Sequence, residues 1–306
     1  MNKVLESLRE GLKEGLGGLA KRDLARTLSR LESPWFDDGA GETAALLDAA
    51  FHTQGGTIAG ITGPPGAGKS TLIGALVRLW RKDKKTVAVI AVDPSSKISG
   101  GSLLGDRLRF DMDGLDEGTF VRSVAAGTRL GGVADSTYPM AVLLQALFDI
   151  VLIETVGVGQ SETDIRDIAD SVALCIQPGS GDSVQFIKAG IIEIPDMLVI
   201  TKKDMPQARA TVADVRSALA LYESPPPVFS VAAHHKENDQ DMQALADALI
   251  RPLSSRPARA KLDHWLEGFV HGLYGTRGTK AEDLQRLQAH SAPFTALCSW
   301  LCDKSL

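Results

Sequence analysis

The sequence predicts an α/β fold: a mostly parallel sheet flanked by helices, with a helical extension before it and a helical arm after it. Three observations carry that prediction. Several short apolar runs (Thr57 to Thr62, Thr86 to Val92, Ile150 to Ile153, Ser171 to Gln177 and Met197 to Thr201) alternate with segments of helical periodicity, the pattern of a parallel sheet with crossover helices. The runs are continuous rather than alternating, as strands buried on both faces require. Between the first run and the first helix stands Gly63-Pro64-Pro65-Gly66-Ala67-Gly68-Lys69-Ser70, which fits G-x-x-x-x-G-K-[ST] at every fixed position.

That spacing has a chemical reason. Glycines let the backbone fold into a nest whose N–H groups point at phosphate oxygens. Lys69 adds a charge for the β- and γ-phosphates, and the Ser70 hydroxyl is placed to ligate Mg²⁺. Thr71 to Trp80 reads as a helix, so its positive end faces the same anion. The alternative, a glycine turn followed by a chance Lys-Ser, does not explain a strand before and a helix after. The fold is therefore expected to be a P-loop NTPase sheet, with Gly63 to Thr71 holding a nucleoside triphosphate.

Composition bounds the rest. The 306 residues suit one α/β domain with extensions, and 44% hydrophobic with 23% charged residues is ordinary for a soluble globular chain. A formal net charge of −5 argues against nucleic acid or anionic membrane as the main partner. The stretch from Val142 to Ile153 is interrupted by Gln145 and Asp149 and is too short to span a bilayer. The start of the chain lacks a signal peptide's apolar core, so a cytoplasmic location is expected. Cys175, Cys298 and Cys302 form no C-x-x-C pair; the last two lie one helical turn apart and read as a reduced, half-buried helix face.

In chain order, residues 1 to 50 read as a helical extension. Val4, Leu5, Leu8 and Leu12, then Leu19, Leu24, Leu28 and Leu31, recur at three- and four-residue steps, and Thr43 to Phe51 makes a third helix. Residues 51 to 252 read as the nucleotide domain. Its second strand ends in Asp93-Pro94; a carboxylate there sits where Mg²⁺ and nucleotide collect, although an Asp capping a turn before Pro94 explains it as well. Lys97 to Phe110 is a polar, glycine-bearing connection suited to sensing nucleotide state. Thr119 to Val124 is a strand with Arg122 inside it, for which a buried salt bridge is favoured over catalysis. Pro139 to Leu147 reads as a helix. Ile150 to Ile153 leads to Glu154-Thr155-Val156-Gly157, an acidic strand end like a second Mg²⁺-side carboxylate, with Gly157 able to offer its N–H to a γ-phosphate. Gly157 and Gly159 do not make a dinucleotide fingerprint, because the third glycine is missing.

Pro178 to Lys188 is a loop leading into a helix. Thr201-Lys202-Lys203-Asp204 lies close to the guanine-reading N-K-x-D, in which an Asp carboxylate accepts the ring N1–H and the exocyclic amine; adenine presents the wrong donors. Gln207 to Leu221 and Asp239 to Arg251 read as helices. Val228 to Ala232 is a last strand and loop that can back the base with Ser230 and Ala232. His234 and His235 have no third ligand at metal spacing, and solvent exposure is the simpler reading. Residues 253 to 306 form a two-helix arm after a Pro252 to Pro257 hinge. Its stripe of Leu262, Trp265, Leu266, Phe269, Val270 and Leu273 should cover its own core or a second subunit.

The ordered set GPPGAGKST (63–71), DPSS (93–96), GGSLLGDR (100–107), RS (122–123), ETVGVGQSE (154–162), PGSGD with QFIKAGIIEI (178–194) and TKKD (201–204) resembles the methylmalonyl-CoA mutase-associated GTPases. The likeness runs from about Gly18 to Asp204. It implies a P-loop GTPase of the signal-recognition/MinD branch, slow alone and stimulated by its partner. It further implies a homodimer formed through the C-terminal arm, escorting an adenosylcobalamin-dependent acyl-CoA mutase, gating cofactor loading and protecting or reactivating the mutase. On that resemblance GTP or GDP and Mg²⁺ are the ligands. Asp93, Asp106 and Glu154 join Ser70 in the metal and switch shell, and Thr201, Lys202 and Asp204 hold the base. Asp182, Gln185 and Lys188 belong to a switch that responds to the mutase, with Lys188 as a candidate catalytic group beside Lys69, Glu154 and Gly157. This chain departs from the family in Thr201 for Asn, Ser95 to Ser99 for a Pro-Phe-Thr-like segment, and Thr128-Arg129-Leu130 for Gly-His-Leu. The rival readings are a metal-insertion GTPase, which should carry a His-rich tail or Cys/His pair, a P-loop kinase, which should prefer ATP, and a scaffold whose nucleotide is structural, which turnover with and without a mutase would separate.

Overall fold

The computed structural model describes residues 18–32, 40–53, 55–93, 118–125, 135–155, 161–179, 195–220, 222–233, 240–251, 257–278 and 281–304. The chain divides into two compact units, one formed by Thr57–Val133 and Ile150–Ser255, the other by Met1–Gly56, Ala134–Asp149 and Arg256–Leu306.

The first unit is built on a seven-stranded sheet. Its strands are β1 (Thr57–Thr62), β2 (Val87–Asp93), β3 (Thr119–Ala125), β4 (Ile150–Thr155), β5 (Ser171–Ile176), β6 (Met197–Ile200) and β7 (Val228–Ser230). Their order is β3-β2-β4-β1-β5-β6-β7, and every neighbouring pair is parallel. From β1 the chain goes to one side for β2 and later to the other for β5, so the order reverses at β1. In open parallel sheets that reversal leaves a crevice at the carboxyl ends of the strands, and the glycine-rich loop leaves β1 there.

The strands alternate their side chains between two buried faces, as the two-residue period of a strand dictates. Ala173 and Cys175 of β5 and Met197 and Val199 of β6 face helix α3 (Lys69–Lys82) and helix α7 (Gln240–Ile250), in one core with Leu72, Leu76, Trp80 and Leu249. Leu174 and Ile176, with Leu198 and Ile200, face Val215 and Leu219 of helix α6 (Ala208–Leu219). Helix α5 (Ser161–Ile168) lies in a stretch to which the sequence reading assigns no element; it carries only two apolar residues, Ile165 and Ile168, too few for a clear periodicity. Both are buried. Gly60 admits Ile165 onto the sheet, since a Cβ at residue 60 would lie 2.7 Å from the Ile165 side chain.

The second unit is helical. It contains α1 (Gly18–Glu32), α2 (Ala40–Phe51), α4 (Thr137–Gln145), α8 (Ala258–Gly278), α9 (Ala281–Ala289) and α10 (Pro293–Lys304). The expected two-helix arm is therefore three helices. Pro293 starts the last one, with its fixed φ and missing N–H suited to a first helical position. Asp48 of α2 caps that start: its carboxylate accepts the Phe294 N–H (2.9 Å), the Thr295 N–H (3.0 Å) and the Thr295 hydroxyl (2.6 Å). Every residue from Thr137 to Leu144 in α4 is buried. Trp265 of α8 stacks between Tyr138 and Phe269, with ring centroids 5.4 and 5.1 Å away, and donates Nε1–H to the Asp135 carbonyl (3.0 Å). Leu262, Leu266, Phe269 and Val270 are buried in the unit, and Leu273 is 47% exposed. The apolar stripe thus covers its own core. Among the described residues no helix is long and apolar enough to cross a membrane. The expected helix at residues 4–12, the connection at 97–110, the Thr128-Arg129-Leu130 turn, His234, His235 and most of the hinge lie outside the described residues.

Candidate functional site

The loop after β1 owes its shape to glycine at three places. Gly63, Gly66 and Gly68 have φ of 139°, 79° and 83°, in the region that side-chain-bearing residues rarely enter. Gly63 is the most constrained: a Cβ there would sit 2.4 Å from the Cys175 carbonyl oxygen of β5. Gly68 caps α3 in the left-handed conformation, and the helix begins at Lys69. The first N–H groups of a helix have no partner within it, so the loop presents donors at the carboxyl edge of the sheet, where an anion binds best.

Lys69 is buried. Its ammonium donates to the Gly63 carbonyl (2.6 Å) and the Pro64 carbonyl (3.1 Å), so the charge is held within the loop. The Ser70 hydroxyl donates to Glu154 Oε1 (3.1 Å). Glu154 is 1% exposed; its Cα pairs with Ile61 of β1 on one side and Ala91 of β2 on the other. Asp93 ends β2 two residues beyond Ala91. The sheet therefore brings Lys69, Ser70 and Glu154 together and sets the Asp93 backbone on the adjacent strand end. Beside them the buried Thr155 hydroxyl donates to the Thr62 hydroxyl (3.0 Å), tying β4 to β1.

The base-reading segment approaches the same loop from β6. Thr201, 4% exposed, lies with its hydroxyl oxygen 2.7 Å from the Ala67 carbonyl. Lys202 has a φ of 51° and donates from Nζ to the Gly66 carbonyl (3.0 Å). Lys203 donates its N–H to Val231 O (3.0 Å), Val231 donates to Ile200 O (2.9 Å), and the Lys203 side chain pairs with Asp241 of α7. These bonds hold the turn after β6 against the end of β7, where Ser230 is half-buried and Ala232 buried. Asp204 is exposed. Asp106, Gly157, Asp182, Gln185 and Lys188 lie outside the described residues, as does the Asp93 side chain.

Two features escape the sequence reading. The Thr62–Thr155 pair has no motif, and only the β1–β4 register could reveal it. Cys175 lies beneath the loop: burial pushes its thiol up from 9.0 to about 12, Lys69 opposes that rise and Glu154 adds to it. At neutral pH this is a protonated, inert side chain.

A family model, "Methylmalonyl Co-A mutase-associated GTPase MeaB", matches residues 24–257. The chain belongs to that family. This MeaB-family chain is 47% identical over 243 residues to a putative GTPase of Pyrococcus abyssi, covering 76% of this chain and 72% of that one. It is 40% identical over 203 residues to the GTPase ArgK of Escherichia coli (66% and 60%). It is 42% identical over 192 residues to the mitochondrial methylmalonic aciduria type A homolog of Mus musculus (60% and 46%). Its fold is like that of a LAO/AO transport system kinase, with a TM-score of 0.60 at 24% identity over 99% of this chain and 83% of that chain. It is also like that of HypB from Helicobacter pylori in complex with nickel, with a TM-score of 0.52 at 18% identity over 70% and 97%. This MeaB-family chain is a P-loop GTPase with the parallel sheet expected of the class.

Proposed function

We propose that this chain is a GTP-hydrolysing escort for an adenosylcobalamin-dependent acyl-CoA mutase, gating cofactor loading and protecting or reactivating the enzyme. The observation that carries this reading is the match of the mutase-associated GTPase model across residues 24–257, joined to a loop that presents Lys69 and Ser70 beside Glu154. The loop N–H groups and Lys69 hold the β- and γ-phosphates, with the ammonium moving from the Gly63 and Pro64 carbonyls to phosphate oxygens. The Ser70 hydroxyl paired with a buried carboxylate supplies the all-oxygen donors that a hard divalent cation takes. Ser70 and Glu154 would hold Mg²⁺ together with Asp93 and Asp106. Bound there, the ion would neutralise charge on the β- and γ-phosphate oxygens.

Asp204 accepts the guanine N1–H and amine, and Ser230 and Ala232 back the base. The Gly157 N–H reaches the γ-phosphate. Asp182, Gln185 and Lys188 form the segment that senses the mutase, with Lys188 delivering positive charge on docking. The assembly is a homodimer; because Leu262, Leu266, Phe269 and Val270 are buried in their own unit, its interface uses other surface, the exposed Leu273 at the end of the stripe included.

The test is GTP turnover with and without a purified acyl-CoA mutase. The rate should rise when the mutase is added, since charge-stabilising groups supplied on docking are worth roughly 10³–10⁵ in GTPases. No rise would remove the escort role, and a stimulated rate unchanged by Lys188→Ala would remove that residue's assignment.

A further inference from the structure

Thr62 is the last residue of β1, and Gly63, with its φ of 139°, begins the phosphate loop immediately after it. Thr155 is the last residue of β4, one position past Glu154. The register sets Ile61 opposite Glu154, so Thr62 and Thr155 are the next pair along and share the other face of the sheet. There the Thr155 hydroxyl donates to the Thr62 hydroxyl (3.0 Å), and both residues are at most 1% exposed. Gly60 lies on the same face, where the Ile165 side chain of α5 packs over it. The chain between β4 and α5 is thus tied to β1 at both ends, by a hydrogen bond at Thr155 and by an apolar contact at Ile165. The apolar contact is non-directional. The hydroxyl pair has a set length and direction, stands where water cannot replace it, and adjoins the turn that shapes the phosphate loop.

We infer that Thr155 is a positioning residue for the γ-phosphate: its bond to Thr62 fixes where the chain leaving β4 stands against the phosphate loop, so that the site tells a triphosphate from a diphosphate. This rests on the guanine nucleotide reading of the site. The β-phosphate is held by the loop itself, whose Lys69 contacts are local to Gly63 and Pro64, and does not need the pair. The γ-phosphate also needs the Gly157 N–H, two residues beyond Thr155 in the sequence. Without the bond that N–H loses its fixed distance from the loop. Triphosphate binding then falls while diphosphate binding holds.

The experiment measures binding of GDP and of the β,γ-imido analogue of GTP in magnesium buffer. It compares wild type, Thr155→Val, Thr155→Ser and the double variant Thr62→Val/Thr155→Val. Valine keeps the shape and removes the donor. Thr155→Val should weaken the analogue by about five- to tenfold, the loss of one buried hydrogen bond, and leave GDP within about twofold of wild type. Serine keeps the hydroxyl and should bring the analogue/GDP ratio back to within about twofold of wild type. The double variant separates positioning from folding. With both hydroxyls gone no buried polar group is left unpaired, so stability should return towards that of wild type, while the ratio stays low because the tie is still missing. A wild-type ratio in Thr155→Val or in the double variant would overturn the inference, as would equal weakening of GDP and the analogue. Failure of wild type to bind either nucleotide would overturn the guanine reading, and the inference with it.

Discussion

The sheet unit and the helical unit are each built by contacts that span different distances along the chain. In the sheet unit the defining contacts of the phosphate loop are local: Lys69 bonds to Gly63 and Pro64, six and five residues back. In the helical unit the defining contact joins Asp48 to Phe294 and Thr295, 246 and 247 residues away. A local contact leaves a signature in the spacing of residue types, because only certain residues allow a tight turn. A distant contact leaves two ordinary segments, an Asp in one helix and a Phe-Thr at the start of another, with nothing to join them. The phosphate loop is shaped by short contacts, while Glu154 and Thr201 reach it from 84 and 134 residues away, and the cap of α10 depends on a contact longer still.

Removing the anchor of each region should therefore give opposite phenotypes. Lys69→Ala takes away the charge that meets the β- and γ-phosphates and should lower GTP turnover by about 10³-fold or more, following the size of such charge-stabilising effects. Its melting transition should stay near that of wild type. Asp48→Ala removes the acceptor for two main-chain N–H groups and one hydroxyl and should destabilise the fold by about 2–3 kcal/mol. GDP affinity should stay within about twofold. Denaturant melts and nucleotide titrations on both variants check this; loss of nucleotide affinity in Asp48→Ala would collapse the distinction.

A smaller effect comes from Cys175. Its thiol stays protonated in the folded chain up to about pH 12, whereas the unfolded chain releases the proton near 9.0. The folded state therefore binds the extra proton between those values, and stability should decline as pH rises from about 9 towards 12. Below that window a thiol reagent should modify exposed Cys302 first and reach Cys175 only after denaturation. Modification of Cys175 in the native protein at pH 8 would show that the floor of the loop opens.

The same contrast explains how much could be read from the sequence. β1, β4, β5 and β6 follow continuous apolar runs, and the loop from Gly63 to Ser70 was legible because a nest of amides tolerates few sequences. Glu154 could be placed on the Mg²⁺ side because it closes an apolar strand. The register that sets it opposite Ile61 and Ala91 could not be read, since pairing is a property of two strands. Thr201 was recognised as a departure from Asn, yet its bond to Ala67 needed the relative placement of β6 and the loop. Helix α5 was missed because Ile165 and Ile168 alone do not make a periodic stripe. The three-helix form of the carboxyl end was missed because Pro293 and the distant cap from Asp48 act together.

The most direct measurement is a calorimetric titration of the purified chain with GDP and with ADP in magnesium buffer. A loop of amides joined to a turn that reads N1–H and the exocyclic amine should bind GDP at least about 100-fold more tightly than ADP, because adenine offers the Asp204 carboxylate neither donor and leaves it unpaired in the complex. Equal affinities, or tighter binding of ADP, would contradict the account.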